Sequence, residues 1–194
     1  MIDRDIKRSL GQMMKGVQVV ASSNEEITRA YCSHWVSQVS FEEPIVLASI
    51  SPKHDTHALI EKVGWFSVSN LAADQVEQGQ YFSYPGRKFK YIAPEFLTET
   101  NGVPHVPNCI SWLECEVTQK LDVEIDHDLF LARVVQVGEG RIGHPPLLYS
   151  SRLGWRMAGG KARQPGDSVR DRLVARLEAH ESETTPNPEG ANRQ

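Results

Sequence analysis

The chain has few cysteines, no excess of positive charge and no long apolar run, and each shortage narrows what it can be. Its 194 residues include three cysteines, Cys32, Cys109 and Cys115, with no CxxC pair and no HExxH motif. Neither a disulfide framework nor a structural zinc centre has a pattern to rest on, and the expected metal complement is none, although Cys32, His34, His54 and His57 are of ligand type. Lysine and arginine number 21 against 25 acidic residues, a formal net charge of −4. That balance gives no broad basic field for a phosphate backbone, so no nucleic-acid partner is expected. No stretch reaches the roughly 18–20 apolar residues of a membrane span, and no membrane partner is expected. The opening MIDRDIKRSLGQMMKG lacks the apolar core of a secretory signal, which points to the cytoplasm. Without a GxSxG or GxxxxGK[ST] run, serine hydrolysis and a P-loop have no support.

What is present is hydrophobic content of 40%, enough for one sizeable core. Ile6, Leu10, Met13 and Met14 share one face of a short helix, which is expected to lie on the core. VQVVAS (17–22), the polar SNEE and ITRAYCS (27–33) read as a β-hairpin. IVLASIS (45–51), between Pro44 and Pro52, has the near-continuous apolar pattern of a strand buried on both faces. DTHALIEKV reads as a helix with Asp55 or Thr56 as N-cap and Gly64 as its stop. FSVSNL (66–71) is a strand, AADQVEQGQYF a helix, and the stretch from Ser83 to Pro107 a long irregular excursion. WLECEVTQKLDVEI (112–125) and LFLARVVQVGEG (129–140), parted by Asp126, His127 and Asp128, form a second hairpin.

Val169, Leu173, Val174 and Leu177 share a helical face, and ESETTPNPEGANRQ reads as a disordered tail. The expected organisation is a barrel unit over 1–160, a connector and amphipathic helix over 161–180 and a tail over 181–194. Six or seven strands that do not alternate with long helical crossovers predict a mainly β fold with short helices, not a doubly wound sheet of Rossmann type.

Taken in order, HWVSQVSFEEPIVLASIS, THALIEKVGWFSVSNLA, WLECEV, DHDLFLARVV and PPLLY resemble the successive motifs of the flavin reductase-like, FMN-binding split-barrel family. The resemblance runs from about Ile6 to about Trp155. It implies a Greek-key split β-barrel and a homodimer with FMN, or FAD, near the subunit interface. It also implies NAD(P)H-dependent flavin reduction, with NADH or NADPH as co-substrate and an electron-accepting protein or monooxygenase as a possible partner.

The same resemblance directs attention to particular residues. Ser33, His34, Trp35, Val36, Ser37 and Gln38 match a segment that borders FMN, where an irregular backbone offers amides and the serines offer hydroxyls. Trp35 and Val36 are candidates to line the isoalloxazine slot. Ser51, Lys53, His54 and Thr56 stand before a helix N-terminus, where a phosphate gains from dipole and charge together. His127 matches the histidine of a Gly-Asp-His motif near flavin and nicotinamide, with Ile125 in place of the glycine. Lys88 and Lys90 offer further cations for the phosphate or ribityl chain. Cys32, His34 and Ser69 depart from the family's usual threonine, serine and asparagine. Three readings follow: a flavin reductase, a flavoredoxin-like FMN carrier without a nicotinamide site, and a dimeric scaffold that has lost its flavin.

Overall fold

A computed structural model describes residues 2–83, 95–158, 174, 175 and 178. The chain divides into two compact units, Met1–Ala158 and Gly159–Gln194. In the second unit Val174, Ala175 and Glu178 are helical. The rest of the expected amphipathic helix and tail lies outside the described residues, as do Lys88 and Lys90.

In the first unit α1 (Arg4–Leu10) leads through β1 (Lys15–Gly16) into the hairpin of β2 (Gln18–Ser23) and β3 (Thr28–Ser33). The next hairpin is β4 (Val36–Gln38) with β5 (Ile45–Ile50), followed by α2 (Asp55–Val63), β6 (Trp65–Asn70) and α3 (Val76–Ser83). A small hairpin, β7 (Thr98–Thr100) and β8 (Val103–His105), precedes the long pair β9 (Ser111–Leu121) and β10 (Asp128–Glu139). Strands β11 (Leu147–Ser150) and β12 (Gly154–Met157) complete the unit. Seven strands form one antiparallel sheet in the order β3, β2, β6, β9, β10, β5, β4.

That order fixes the shape. Strands β3 and β4 stand at opposite edges of the sheet, yet only His34 and Trp35 separate Ser33 from Val36. Three peptide links reach about 11 Å, so the sheet must curl until its edges nearly meet. Register shifts in the β9–β10 ladder, between Leu131 and Ala132 and between Val134 and Gln136, assist the bend. The result is a split barrel whose seam lies at His34 and Trp35.

One apolar cluster, including Val20, Ile50, Ile60, Phe66 and Phe130, joins the strands to α2. A second, including Val19, Leu71, Phe82, Trp112 and Leu147, joins β2 and β9 to α3, β8 and β11. Neighbouring residues Val19 and Val20 thus serve different clusters, which is why β2 is buried along most of its length. Buried Ser69 accepts a hydrogen bond from the Val106 amide at 3.0 Å, a bridge to the segment after β8.

Several expectations change. Helix α1 buries no residue, and Ile6 and Leu10 are 55% and 51% exposed. The barrel's interior is already filled from the strands and α2, and α1's apolar stripe reaches only the rim of a groove through Leu10. Strand β5 is not buried on both faces: Val46, Ala48 and Ile50 face the core, while Ile45, Leu47 and Ser49 are half-buried. The N-cap of α2 is His54, in extended conformation and without a side-chain cap, because the chain turns helical at Asp55. Ladder pairing of β9 ends at Leu121, leaving 122–127 as the turn before β10. The expected irregular stretch contains the β7–β8 hairpin, closed by Asn101 and Gly102 at φ 51° and 82°, the two-residue turn that this dipeptide favours. Gly138, Gly140 and Gly143 have the spacing of a dinucleotide fingerprint, GEGRIG. They leave an antiparallel strand and enter a turn, so no helix N-terminus follows to receive a pyrophosphate.

Candidate functional site

The seam is bridged by its own backbone. The Trp35 amide donates to Ser33 Oγ at 3.2 Å, and the Ser49 amide donates to the Trp35 carbonyl at 2.9 Å. Trp35 is thereby tied to β3 and to β5 while its indole stays half exposed. A groove of about 650 Å3 runs along the seam between Leu10, Met13, Lys15 and Gly16 on one side and Leu47 and Ser49 on the other, with His34 to Ser37 between them. The Lys15 ammonium lies 5.7 Å from the centre of the Trp35 ring. A smaller pocket of about 110 Å3 shares His34, Trp35 and Ser49 and adds Tyr31, Ser33, Ser51, His54 and His127.

Aromatic contacts set these walls. His34 stacks on Tyr149 at 4.3 Å and meets the edge of Trp155 at 5.9 Å. Tyr31 stacks on His54 at 4.4 Å, and His127 meets Trp35 edge-on at 4.8 Å. His34 Nδ1 and the Tyr31 hydroxyl are buried without a hydrogen bond of good geometry, although buried polar atoms are normally paired. Burial drives the Tyr31 phenol well above its ordinary pKa, so it remains a donor at all accessible pH.

Two histidines of the site, His34 and His54, are biased toward the neutral form. Burial lowers the His34 pKa, with the Lys15 charge acting in the same sense, and burial followed by His127 lowers that of His54. Folding these rings releases protons that the unfolded chain binds, so stability is complete above the unfolded value of about 6.5 and drains as pH falls below it. The urea midpoint is therefore expected to fall between pH 7.5 and 5.5, and to fall less in His34→Gln. An identical slope in that variant would remove His34 from the account.

Behind the small pocket, α2 is tied to the start of β10. His57, buried in α2, contacts Asp128 Oδ2 through Nε2 at 2.7 Å, and the Lys120 ammonium bridges Asp128 and Glu61 at 2.6 and 2.5 Å. Lys120 and then His57 hold the Asp128 carboxyl below the usual carboxylate range. The same clamp fixes the two strand and helix ends that carry His54 and His127. Among the described residues, the His57, Glu61 and Asp128 group has metal-ligand spacing, but the lysine ammonium already occupies the cation's position. Cys32, considered with the histidines as a ligand, is a thiol pushed up to about 11 by burial.

The structure brings Ser33, His34, Trp35, Ser51 and His127 to the small pocket, and His34 to Ser37 to the larger groove. Gln38 is not among the lining residues; its side-chain amide donates to the Ser40 carbonyl. Thr56 is buried in the first turn of α2, away from both linings. Lys53 sits in the exposed turn before α2, close enough to Asp126 to help lower its pKa after His127. Lys90 lies outside the described residues. Sequence reasoning missed Lys15 and Gly16, whose strand is only two residues long, and Leu47 and Ser49, whose alternation with Val46 and Ala48 was the available signal. Tyr31 was also missed, because an apolar strand pattern hides a polar tip.

Three relatives are similar to this chain, two in sequence and one in structure as well. The reductase component of 4-nitrophenol 4-monooxygenase/4-nitrocatechol 2-monooxygenase from Rhodococcus opacus is 26% identical over 151 residues, 77% of this chain and 79% of the relative. The NADH-dependent flavin reductase StyB of Pseudomonas fluorescens is 28% identical over 149 residues, 75% of this chain and 85% of the relative. The solved styrene monooxygenase flavin reductase SMOB of Pseudomonas putida S12 superposes with a TM-score of 0.70 at 26% identity, covering 80% of this chain and 97% of that one. The sequence model of one family, the flavin reductase like domain, matches residues 10–153, almost the whole barrel unit. On that match and the shared split barrel, the chain belongs to the flavin reductase like domain family.

Proposed function

We propose that this chain is an NAD(P)H-dependent flavin reductase that holds FMN in the seam groove. The observation that carries the reading is the groove itself, apolar along Leu10, Met13, Trp35 and Leu47, with the buried His34 Nδ1 in its wall and the buried Tyr31 hydroxyl in the adjoining small pocket, neither in a hydrogen bond of good geometry. Its volume lies within the roughly 300–1,000 Å3 of small-molecule sites. The Tyr31 hydroxyl can donate, and neutral His34 can accept or donate at Nδ1, to a ligand with a polar edge. Because His54 provides no side-chain cap, the first-turn amides of α2 lack a side-chain acceptor, and together with Ser51 and Lys53 they suit a phosphate.

Bound there, the flavin would supply the ring that accepts a hydride from the nicotinamide. The protein's part is positioning and exclusion of water, which need few catalytic side chains. Trp35 and Val36 would flank the ring, and Lys15 would bring positive charge to the site. His127, held edge-on to Trp35 with Asp126 at its Nδ1, would border the nicotinamide. FMN is the preferred flavin, with FAD as the other candidate.

The relatives' membership of monooxygenase systems supports a monooxygenase as recipient of the reduced flavin. Apolar side chains exposed around the groove, among them Leu10, Met13 and Trp35, with fully exposed Phe41 after β4, support a homodimer that covers them.

The test is an anaerobic titration of FMN-loaded protein with NADH and then NADPH, following the oxidised-flavin band. Prompt bleaching is expected, and the same sample should scatter light as twice the chain's 21.8 kDa. A bound flavin that bleaches only with dithionite would replace the reductase with an electron carrier, and protein that takes up no flavin would leave a scaffold.

A further inference from the structure

Helix α1 carries its cations on one face: Arg4, Lys7 and Arg8 are spaced i, i+3, i+4. Arg152, from the turn between β11 and β12, meets them across a pocket of about 450 Å3 completed by Gly11 and Ser151. Its two walls touch. The Arg152 amide donates to the Gly11 carbonyl at 3.1 Å, and a Cβ on Gly11 would stand 3.0 Å from Ser151 Oγ. Leu10, the last residue of α1, and Met13 beyond it line the seam groove instead.

Four cations converging in a chain of net charge −4 is not a by-product of basic composition. Among the described residues none of the four has a carboxylate within ion-pair distance. Lys7 and Arg8 lie in the last turn of α1, where the helix dipole favours them, but Arg4 lies in the first, where the dipole opposes it. Helix electrostatics thus favours two of the four, and the pocket that all four line offers an anion a local field of one sign.

We propose that this pocket is a second anion site, separate from the seam groove, that takes the phosphate group of a small organic phosphate such as a nucleotide. Three planar guanidinium forks can each meet two phosphate oxygens, and Lys7 adds a point charge.

Calorimetric titration at low ionic strength, with and without saturating FMN, tests the site using inorganic phosphate, adenosine 2′-monophosphate and adenosine. Both phosphates are expected to bind in either condition, and adenosine is not. Tighter binding of the nucleotide than of inorganic phosphate would identify the organic phosphate as the ligand, and equal binding the free ion. Arg4→Gln and Arg152→Gln are each expected to weaken phosphate binding roughly ten- to a hundredfold with an unchanged melting temperature. Arg133→Gln, which removes an exposed cation paired with Glu43, is expected to leave it within about twofold. Absence of phosphate binding to FMN-saturated protein, or an equal loss in Arg133→Gln, would overturn the proposal.

Discussion

Phe130→Ala is expected to destabilise the barrel unit by about 3–5 kcal/mol and to lower its melting temperature by roughly 6–20 °C. The ring is 2% exposed in the cluster shared by the strands and α2, opposite Ala48 of β5 and Lys120 of β9. Ala48 is too small to fill the gap. The phenyl edge also supports His57 at 5.5 Å, and the Lys120 ammonium lies 5.8 Å from its centre. The cavity would therefore open beside the two side chains that hold Asp128, and flavin affinity is expected to fall along with stability. Urea unfolding of flavin-free protein isolates the packing loss. A cost below about 1 kcal/mol would mean that the neighbours close over the space and leave no cavity.

Gly140→Ala is expected to cost about 3 kcal/mol, at the upper end of overpacking effects. A Cβ there would lie 2.1 Å from the Cys109 carbonyl oxygen and 3.3 Å from that of Ile110. Neither atom can swing aside as a side-chain tip would. The Gly140 amide donates to Ile110, the Arg141 amide donates to Cys109, and the Arg141 guanidinium reaches Asn108 and Asp74. Relief would require breaking this knot, and a denaturant midpoint close to that of the unchanged protein would show that the segment gives way more easily than its hydrogen bonds imply.

The fold was most legible where burial follows one period. The hairpins β2–β3 and β9–β10 alternate or carry β-branched residues over many positions, and α2 pairs a helical stripe with a left-handed Gly64 at its end. Elements of two or three residues, such as β1 and β4, offer no period to detect. The apolar stripe of α1 looks the same from sequence whether it meets the core or a groove rim, and only the packed structure separates the two. Strand β5 misled for a related reason: Leu47 is apolar because it borders a groove, not because a second layer covers it.

The site divides in the same way. His34, Trp35 and His127 are legible because they occupy breaks between strands, where side chains are freed from ladder packing, and Val36 and Ser37 follow at once in β4. The assembly of Tyr31, Ser49 and Lys15 around Trp35 is not, because it depends on two sheet edges that are distant in strand order and adjacent in space. No local pattern records how far a sheet curls.

The two-residue link across the seam has a mechanical consequence. A hoop closed by a short clasp yields at the clasp, and β3 and β4 each present an unpaired side there, so breathing of the barrel should concentrate at His34 and Trp35. A ligand seated across that gap acts as a keystone. Since it binds the closed hoop and not the open chain, every tenfold excess over its dissociation constant tightens the entire ring by about 1.4 kcal/mol. On this view a reductase that hands its flavin away would also loosen its own frame with each departure.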